Sequence, residues 1–374
     1  MIDNTILLGA LAAFSPLTLG LMVFVGWRWQ RALVRVAKET LAEALTVVIP
    51  ARNEEERLPA TLDALLREPS PQLRVFVVDD RSSDGTAAAV RERAGGDPRV
   101  VLLQLDDDPP PGQFGKPRAL AAGVRASAEH GAFVLFLDAD VVLEEGCLGG
   151  LLMTARLQGA HALSGVPALE LPTLVEQCLV PAFVALVAAR YPTTRVHDAL
   201  RRDAFLNGQV MLVQRTALQA VGGIEAVGTS VLEDVALAAR LKHAGFRIRL
   251  ADLRTLARTR MYANLRDIAE GFGKNARAVF GPAAVVAVGA QALLLAWAPW
   301  LALGISAVRG DAFWVAILGV LATSMLQLFS RQAVGLRAWP ALLAPVTYAF
   351  VAAVYLRAAL TRQVRWRGRT YPAG

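Results

Sequence analysis

The order of apolar and polar positions divides the chain into three stretches. Residues Thr5 to Trp27 carry no charge, and Arg28, Arg31, Arg35 and Lys38 follow at once. A run of that length can cross the ~30 Å hydrocarbon layer as a helix. Its charges come after the apolar run rather than before it, the reverse of a cleaved secretory signal. The pattern predicts an uncleaved anchor over residues 1–30 with its carboxyl side in the cytoplasm.

From Leu45 to about Arg260 short β-branched runs alternate with helical segments. Strands are predicted at Leu45 to Ile49, Leu73 to Val78, Val100 to Leu103 and Phe133 to Leu137. Helices are predicted between them, at Glu54 to Arg67, Asp84 to Arg93 and Lys116 to Glu129. Strand and helix in strict turn mean βαβ units, hence an α/β domain over residues 45–260 with a mostly parallel sheet flanked by helices. His161 to Val166 reads as one more strand. Leu171 to Ala189 reads either as an amphipathic helix against a membrane or acceptor channel, or as a buried core helix. Residues 261–280 form an interfacial amphipathic helix. Pro282 to Val308, Ala312 to Ser330 and Ala338 to Leu356 are again uncharged and long enough to span. The tail, residues 358–374, carries Arg362, Arg365, Arg367 and Arg369 and no acid. Three crossings would export that tail against the positive-inside tendency, so the run with Pro340 and Pro345 is read as re-entrant or interfacial.

Composition sharpens this picture. Of 374 residues 55% are hydrophobic, and the mean hydropathy is +0.41, too apolar for an ordinary soluble enzyme. The net charge of +7 is almost wholly arginine, since lysine occurs only at 38, 116, 242 and 274. These charges flank apolar segments, which points to anionic lipid and away from nucleic acid. Cys147 and Cys178 make neither a metal nor a disulfide framework. The expectation is a multi-pass protein of the cell (inner) membrane with its α/β domain in the cytoplasm.

The candidate chemistry gathers at strand ends. Phe133 to Leu137 reads as a strand buried on both faces, and it stops at Asp138-Ala139-Asp140. Two acids at i and i+2 can lean toward one cation, and hard oxygen ligands suit Mg²⁺ or Mn²⁺ carrying a diphosphate. The first strand ends in Pro50-Ala51-Arg52-Asn53-Glu54-Glu55, with Asn53 placed to cap the next helix and acids in its first turn. The second ends in Asp79-Asp80-Arg81-Ser82-Ser83-Asp84-Gly85-Thr86, where Ser83 or Asp84 caps and Asp80 is not required to. Acids at the carboxyl ends of successive strands share one edge of the sheet, where such sheets bind ligands. Further on, Glu233 and Asp234 open a helix, either as a first turn that complements the dipole or as a catalytic pair. His197 and His243 read as structural or surface residues.

These motifs, together with Gly115-Lys116-Pro117-Arg118-Ala119-Leu120, resemble in order and spacing the family 2 glycosyltransferases. The resemblance implies a GT-A type nucleotide-diphospho-sugar transferase domain. It implies that Pro50, Arg52, Glu54 and Asp80 hold the base and ribose of a uridine nucleotide and that Lys116 reaches the phosphates. It also implies that Asp138 and Asp140 hold the metal, and that Asp234, with Glu233 beside it, is the base. The ending Trp366-Arg367-Gly368-Arg369-Thr370-Tyr371 is similar to that of bacterial carotenoid glycosyltransferases of the diaponeurosporenoate type and of ceramide glucosyltransferase. Trp366, Arg367 and Arg369 accordingly join the expected donor site; as a plain sequence they are an interfacial anchor. The implied activity is inverting, metal-dependent transfer of a sugar, expected to be glucose, from a UDP-sugar to an apolar isoprenoid such as a carotenoid. A hopanoid, a ceramide-like lipid or a polyprenyl phosphate are the alternative acceptors. A catalytically silent nucleotide-binding membrane protein is the alternative of another class.

Overall fold

The computed structural model describes residues 31–127, 130–262, 264–309, 313–332, 338–361, 363–366 and 369–372. The anchor expected over residues 1–30 lies outside them, as does Arg367. The described chain forms two compact units. One comprises Ala32–Glu170 and Thr193–Met261, and the other takes Leu171–Pro192 with Tyr262–Gly374. The α/β domain expected over 45–260 is thus interrupted by a segment that groups with the C-terminal region.

In the first unit the strands β1 (Val34–Arg35), β2 (Leu45–Ala51), β3 (Leu73–Asp79), β4 (Val100–Gln104), β5 (Phe133–Leu137), β6 (Val141–Leu143), β7 (Ala162–Leu169), β8 (Val210–Gln214) and β9 (Ile248–Thr259) make one sheet. The order is β1-β9-β7-β8-β5-β2-β3-β4, with β6 on β9. All five residues of β5 are buried, as an apolar run without alternation requires. Parallel pairing aligns Leu45 with Leu73 and with Phe133, so the carboxyl ends of β2, β3 and β5 share an edge. The sheet is not parallel throughout: β8 runs antiparallel to β5 and β7.

Helices α1 (Leu58–Leu66), α2 (Thr86–Ala94), α3 (Gly115–Ala126), α4 (Cys147–Leu157), α6 (Thr193–His197), α7 (Arg215–Ala220) and α8 (Glu233–His243) belong to the same unit; α5 (Leu174–Arg190) does not. Helix α3 lies so close to the sheet that a Cβ on Gly123 would fall 2.3 Å from Val48 Cγ1. Two helix starts differ from expectation. α1 begins at Leu58 rather than Glu54, because Pro59 lacks an N–H and belongs in a first turn. Asn53, at φ +54°, caps nothing; its side chain accepts the Ser83 N–H at 2.9 Å. Asp84 likewise does not cap α2 from the N-cap position, which is Gly85; it accepts the N–H and hydroxyl of Thr86 at 3.0 and 2.6 Å.

The second unit contains α5 (Leu174–Arg190), α9 (Leu265–Phe280), α10 (Pro282–Arg309), α11 (Phe313–Gln332), α12 (Ala344–Leu360) and a hairpin of β10 (Gln363–Trp366) and β11 (Arg369–Pro372). Helix α5 starts with a capping box between Thr173 and Glu176. Its middle, Cys178 to Phe183, is buried at every position, so of the two expected readings this part is core. Phe183 stacks on Phe272 at 4.3 Å between centroids. Two stretches among the described residues are long and apolar enough to cross a membrane, Pro282–Ile305 and Trp339–Leu360.

Within the sheet unit, Arg215 is a buried pin. Its guanidinium donates to Gly131 O at 2.9 Å, Thr46 Oγ1 at 2.9 Å, Ser127 Oγ at 2.8 Å and His130 O at 3.1 Å. Arg215→Met leaves these acceptors dry and should cost ~2–3 kcal/mol. Arg215→Lys should restore less than half, since an ammonium cannot reproduce the fork. Urea unfolding of both variants measures the difference.

Candidate functional site

Four charged side chains meet where β5 ends and α8 begins. The Lys116 ammonium, from the first turn of α3, donates to Asp138 Oδ1 at 2.8 Å and to Glu233 Oε1 at 2.9 Å. Burial pushes its pKa down, but the charges of Asp138, Glu233 and Asp234 outweigh that and hold it well above the usual lysine value. Asp234, beside Glu233, accepts the Gly208 N–H at 2.9 Å on one oxygen and the Val235 N–H at 2.8 Å on the other. Burial first, then the Glu233 charge, push its pKa up to about 6 against the pull of Lys116 and the two N–H groups. Of the residues expected at the site, the structure therefore brings together Lys116, Asp138, Glu233 and Asp234.

The turn before β8 organises this cluster. Asn207 is tied to β7: its N–H donates to Ser164 Oγ at 2.6 Å, Ser164 Oγ donates back to Asn207 O at 3.0 Å, and its amide donates to Gly165 O at 3.1 Å. Gly208 comes next, and a Cβ there would lie 2.8 Å from Asp234 Oδ2 and 3.4 Å from Lys116 Nζ. Gln209 O accepts the Asp138 N–H at 3.0 Å. That Gly208 faces Asp234 and Lys116 is not read from the sequence. The visible signal was a glycine immediately before an apolar strand, where close approach of another group is a common cause.

Asp140 sits differently. Its Oδ2 lies 3.7 Å from Arg57 Nη1, and Arg57 Nε lies 4.0 Å from Glu54 Oε2. Helix α1 fixes the loop between the two aspartates, since the Thr61 hydroxyl donates to Ala139 O at 2.8 Å. Arg57 was not foreseen. Asp138 and Asp140 offer hard carboxylate oxygens, but no group of three or more His, Cys, Asp or Glu side chains placed to hold a metal occurs among the described residues. That donor set fits Mg²⁺ or Mn²⁺ provided water and phosphate oxygens complete the shell.

The loops after β2 and β3 are bound to each other. Arg52 donates to Asp80 O at 2.8 Å, the Glu54 N–H donates to Thr86 Oγ1 at 2.8 Å and the Asn53 N–H to Ser82 Oγ at 3.0 Å. Arg81, at φ +57°, donates Nε and Nη2 to Asp80 Oδ1 at 3.1 and 2.7 Å. Two non-glycine residues in these loops, Asn53 and Arg81, lie in the left-handed region, a strain found at ligand-binding edges. Pro50 stands two residues past the last pairing of β2 with β5 at Val48, so its missing N–H costs nothing on that side. The tail residues belong to the other unit, where Trp366 pairs with Arg369 across the β10–β11 hairpin.

His197 is structural. Its Nε2 accepts the Leu250 N–H at 2.8 Å, and burial, with Arg249 and Lys242, lowers its pKa to about 4. His243 is exposed.

Residues 42–280 match the model of the family described as glycosyltransferase like family 2. The 4,4'-diaponeurosporenoate glycosyltransferases of Staphylococcus aureus strains MRSA252 and USA300 are each 25% identical over 235 residues, covering 62% of this chain and 60% of theirs. The match therefore spans less than two thirds of those relatives. A mannosyltransferase from Pyrobaculum calidifontis, solved with GDP-Man and Mn2+, superposes with a TM-score of 0.58 at 20% identity, covering 94% of this chain and 98% of that one. It shares the GT-A fold.

The turn before β8 gives a direct test. Gly208→Ala forces Asp234 or Lys116 to move, so turnover should fall by about tenfold or more, with a melting temperature within a few degrees of the parent. Turnover equal to the parent would show that the turn does not set the position of Asp234.

Proposed function

The chain belongs to glycosyltransferase family 2, and within it we propose that this enzyme moves glucose from UDP-glucose to a hydroxyl or carboxyl group of an apolar isoprenoid lipid, such as a carotenoid, at the inner membrane. The observation that carries this reading is the cluster of Lys116, Asp138, Glu233 and Asp234 at the carboxyl edge of the sheet. The lipid acceptor is supported by the carotenoid glycosyltransferase relatives and by the apolar helices at Pro282–Ile305 and Trp339–Leu360. With the sheet unit on the cytoplasmic side, those stretches cross the bilayer and keep the enzyme beside its acceptor.

The reaction is one displacement with inversion. Asp234 takes the proton of the acceptor hydroxyl as its oxygen bonds to the anomeric carbon, while the bond from that carbon to the diphosphate breaks and UDP leaves. Asp138 and Asp140 would hold a divalent cation, whose chemistry there would be to neutralise the charge of the departing diphosphate. The loops carrying Pro50, Arg52, Glu54 and Asp80 hold the uridine. Lys116 supplies a point charge for the phosphates. A carboxyl acceptor enters already ionised and needs no base.

The test is full-length protein in detergent with UDP-glucose, Mg²⁺ or Mn²⁺ and extracted pigment, followed by UDP release and a mass gain of one hexose on the lipid. No turnover with any UDP-sugar would overturn the reading. Asp140→Ala should abolish transfer and leave the melting temperature unchanged, since it removes a group at a strand tip. Asp234→Asn should cut transfer to a hydroxyl by about 10²–10⁴-fold with donor binding retained, and transfer to a carboxyl much less. Because the Asp234 pKa is raised to about 6, its base form is present above that pH and lost below it. The rate with a hydroxyl acceptor should therefore rise through pH 6 in the parent, and that limb should vanish in Asp234→Asn.

A further inference from the structure

Each carboxylate of the Asp138-Ala139-Asp140 motif already faces a cation of the protein, Lys116 at 2.8 Å from Asp138 and Arg57 at 3.7 Å from Asp140. The Lys116 contact is the tighter, and it is shared with Glu233 at 2.9 Å. A divalent cation binds a carboxylate oxygen at ~2.1 Å. With Lys116 Nζ 2.8 Å from that oxygen, the two positive centres would stand at most ~5 Å apart, a separation at which like charges repel by several kcal/mol in a partly buried site. The motif also offers too few ligands to close a shell by itself.

From these contacts we propose that Lys116 is a resident counter-ion that makes divalent-cation binding conditional on the nucleotide. Lys116 neutralises Asp138, Glu233 and Asp234 until a nucleotide-bound cation takes Asp138, and its ammonium then turns to the diphosphate. The inference rests on reading Asp138 and Asp140 as the metal carboxylates. Its consequence is ordered binding, with the cation arriving on the nucleotide rather than before it. Lys116 can make the exchange because it is a flexible point charge with three donors. Gly208, lacking a Cβ within 3.4 Å of Nζ, leaves it room to move.

The experiment is Mn²⁺ binding to the full chain in detergent, followed by the paramagnetic signal of free Mn²⁺, with and without UDP. The parent should bind Mn²⁺ at least about tenfold more tightly with UDP than without. Lys116→Met should bind Mn²⁺ without UDP about tenfold more tightly than the parent, so that UDP adds less than it does in the parent. Lys116→Gln serves as a second neutral variant should the methionine variant not fold. Arg125→Gln, which removes a cation from the far end of the same helix where it pairs with Glu225 at 2.6 Å, should stay within about twofold of the parent. Equal or weaker nucleotide-free affinity in the neutral variants, a parent indifferent to UDP, or an equal gain in Arg125→Gln would each overturn the proposal. No Mn²⁺ binding by any of the proteins, with or without UDP, would instead remove the metal site on which it rests.

Discussion

Three carboxylates, of Asp138, Glu233 and Asp234, converge at the end of the central strand, and the ammonium of Lys116 makes that convergence tolerable. Unit charges a few ångströms apart at a partly buried site interact by ~4 kcal/mol per pair. Three acids without a cation would therefore stay apart or stay protonated. Lys116 contacts Asp138 and Glu233 directly and reaches Asp234 only through its field. Burial first, and then the Glu233 charge, outweigh Lys116 at Asp234, whose pKa settles at about 6. A carboxylate left there by the accounting of its neighbours is suited to take a proton near neutral pH, which a fully neutralised one would not be.

The positions of these groups are set by backbone. Inserting β8 antiparallel between β5 and β7 brings Asn207, Gly208 and Gln209 to the sheet edge. Gln209 O holds the Asp138 N–H and the Gly208 N–H holds Asp234. One tripeptide thus ties the backbone of Asp138 to the carboxylate of Asp234. Pinning through Ser164 and Asn207 transmits the rigidity of β7 to the same point. A site built this way holds Asp138 and Asp234 by main-chain hydrogen bonds that do not depend on Lys116.

Much of this was legible in the chain because burial leaves a plain signature. Phe133 to Leu137 reads as a strand covered on both faces and is one, and its acidic end meets Lys116 in the structure. Helix starts were read less well. Asn53 and Asp84 have the chemistry of caps, but in the structure Asn53 reaches the neighbouring loop and Asp84 closes a local turn; Pro59 was the better signal. The antiparallel β8 was not legible, since an apolar run carries no mark of its direction. Nor was the contact of Lys116 with Glu233, which joins segments far apart in sequence and depends on sheet order. Leu171 to Ala189 was read with two alternatives open, and pattern alone could not choose, because an apolar helix satisfies a bilayer and a core equally.

Contacts inside the second unit explain why the Cys178 to Phe183 part of that helix is core. Pro181 sits within α5 and lacks an N–H, so the carbonyl of Gln177 has no helical partner. In an apolar bundle such a group is costly unless another element supplies a donor. Arg331 of α11, itself fully buried, donates to that carbonyl. Gln327, one turn earlier and also fully buried, donates to Cys178 O at 2.8 Å. The break in one helix therefore creates acceptors that the other is built to meet, and the match fixes which turn of α11 lies against which turn of α5. Apolar contacts such as Phe183 on Phe272 can slide by a residue with modest loss, but two polar side chains one turn apart on two successive carbonyls cannot. Within this unit, register is thus set by a few buried polar groups and packing area by the apolar remainder.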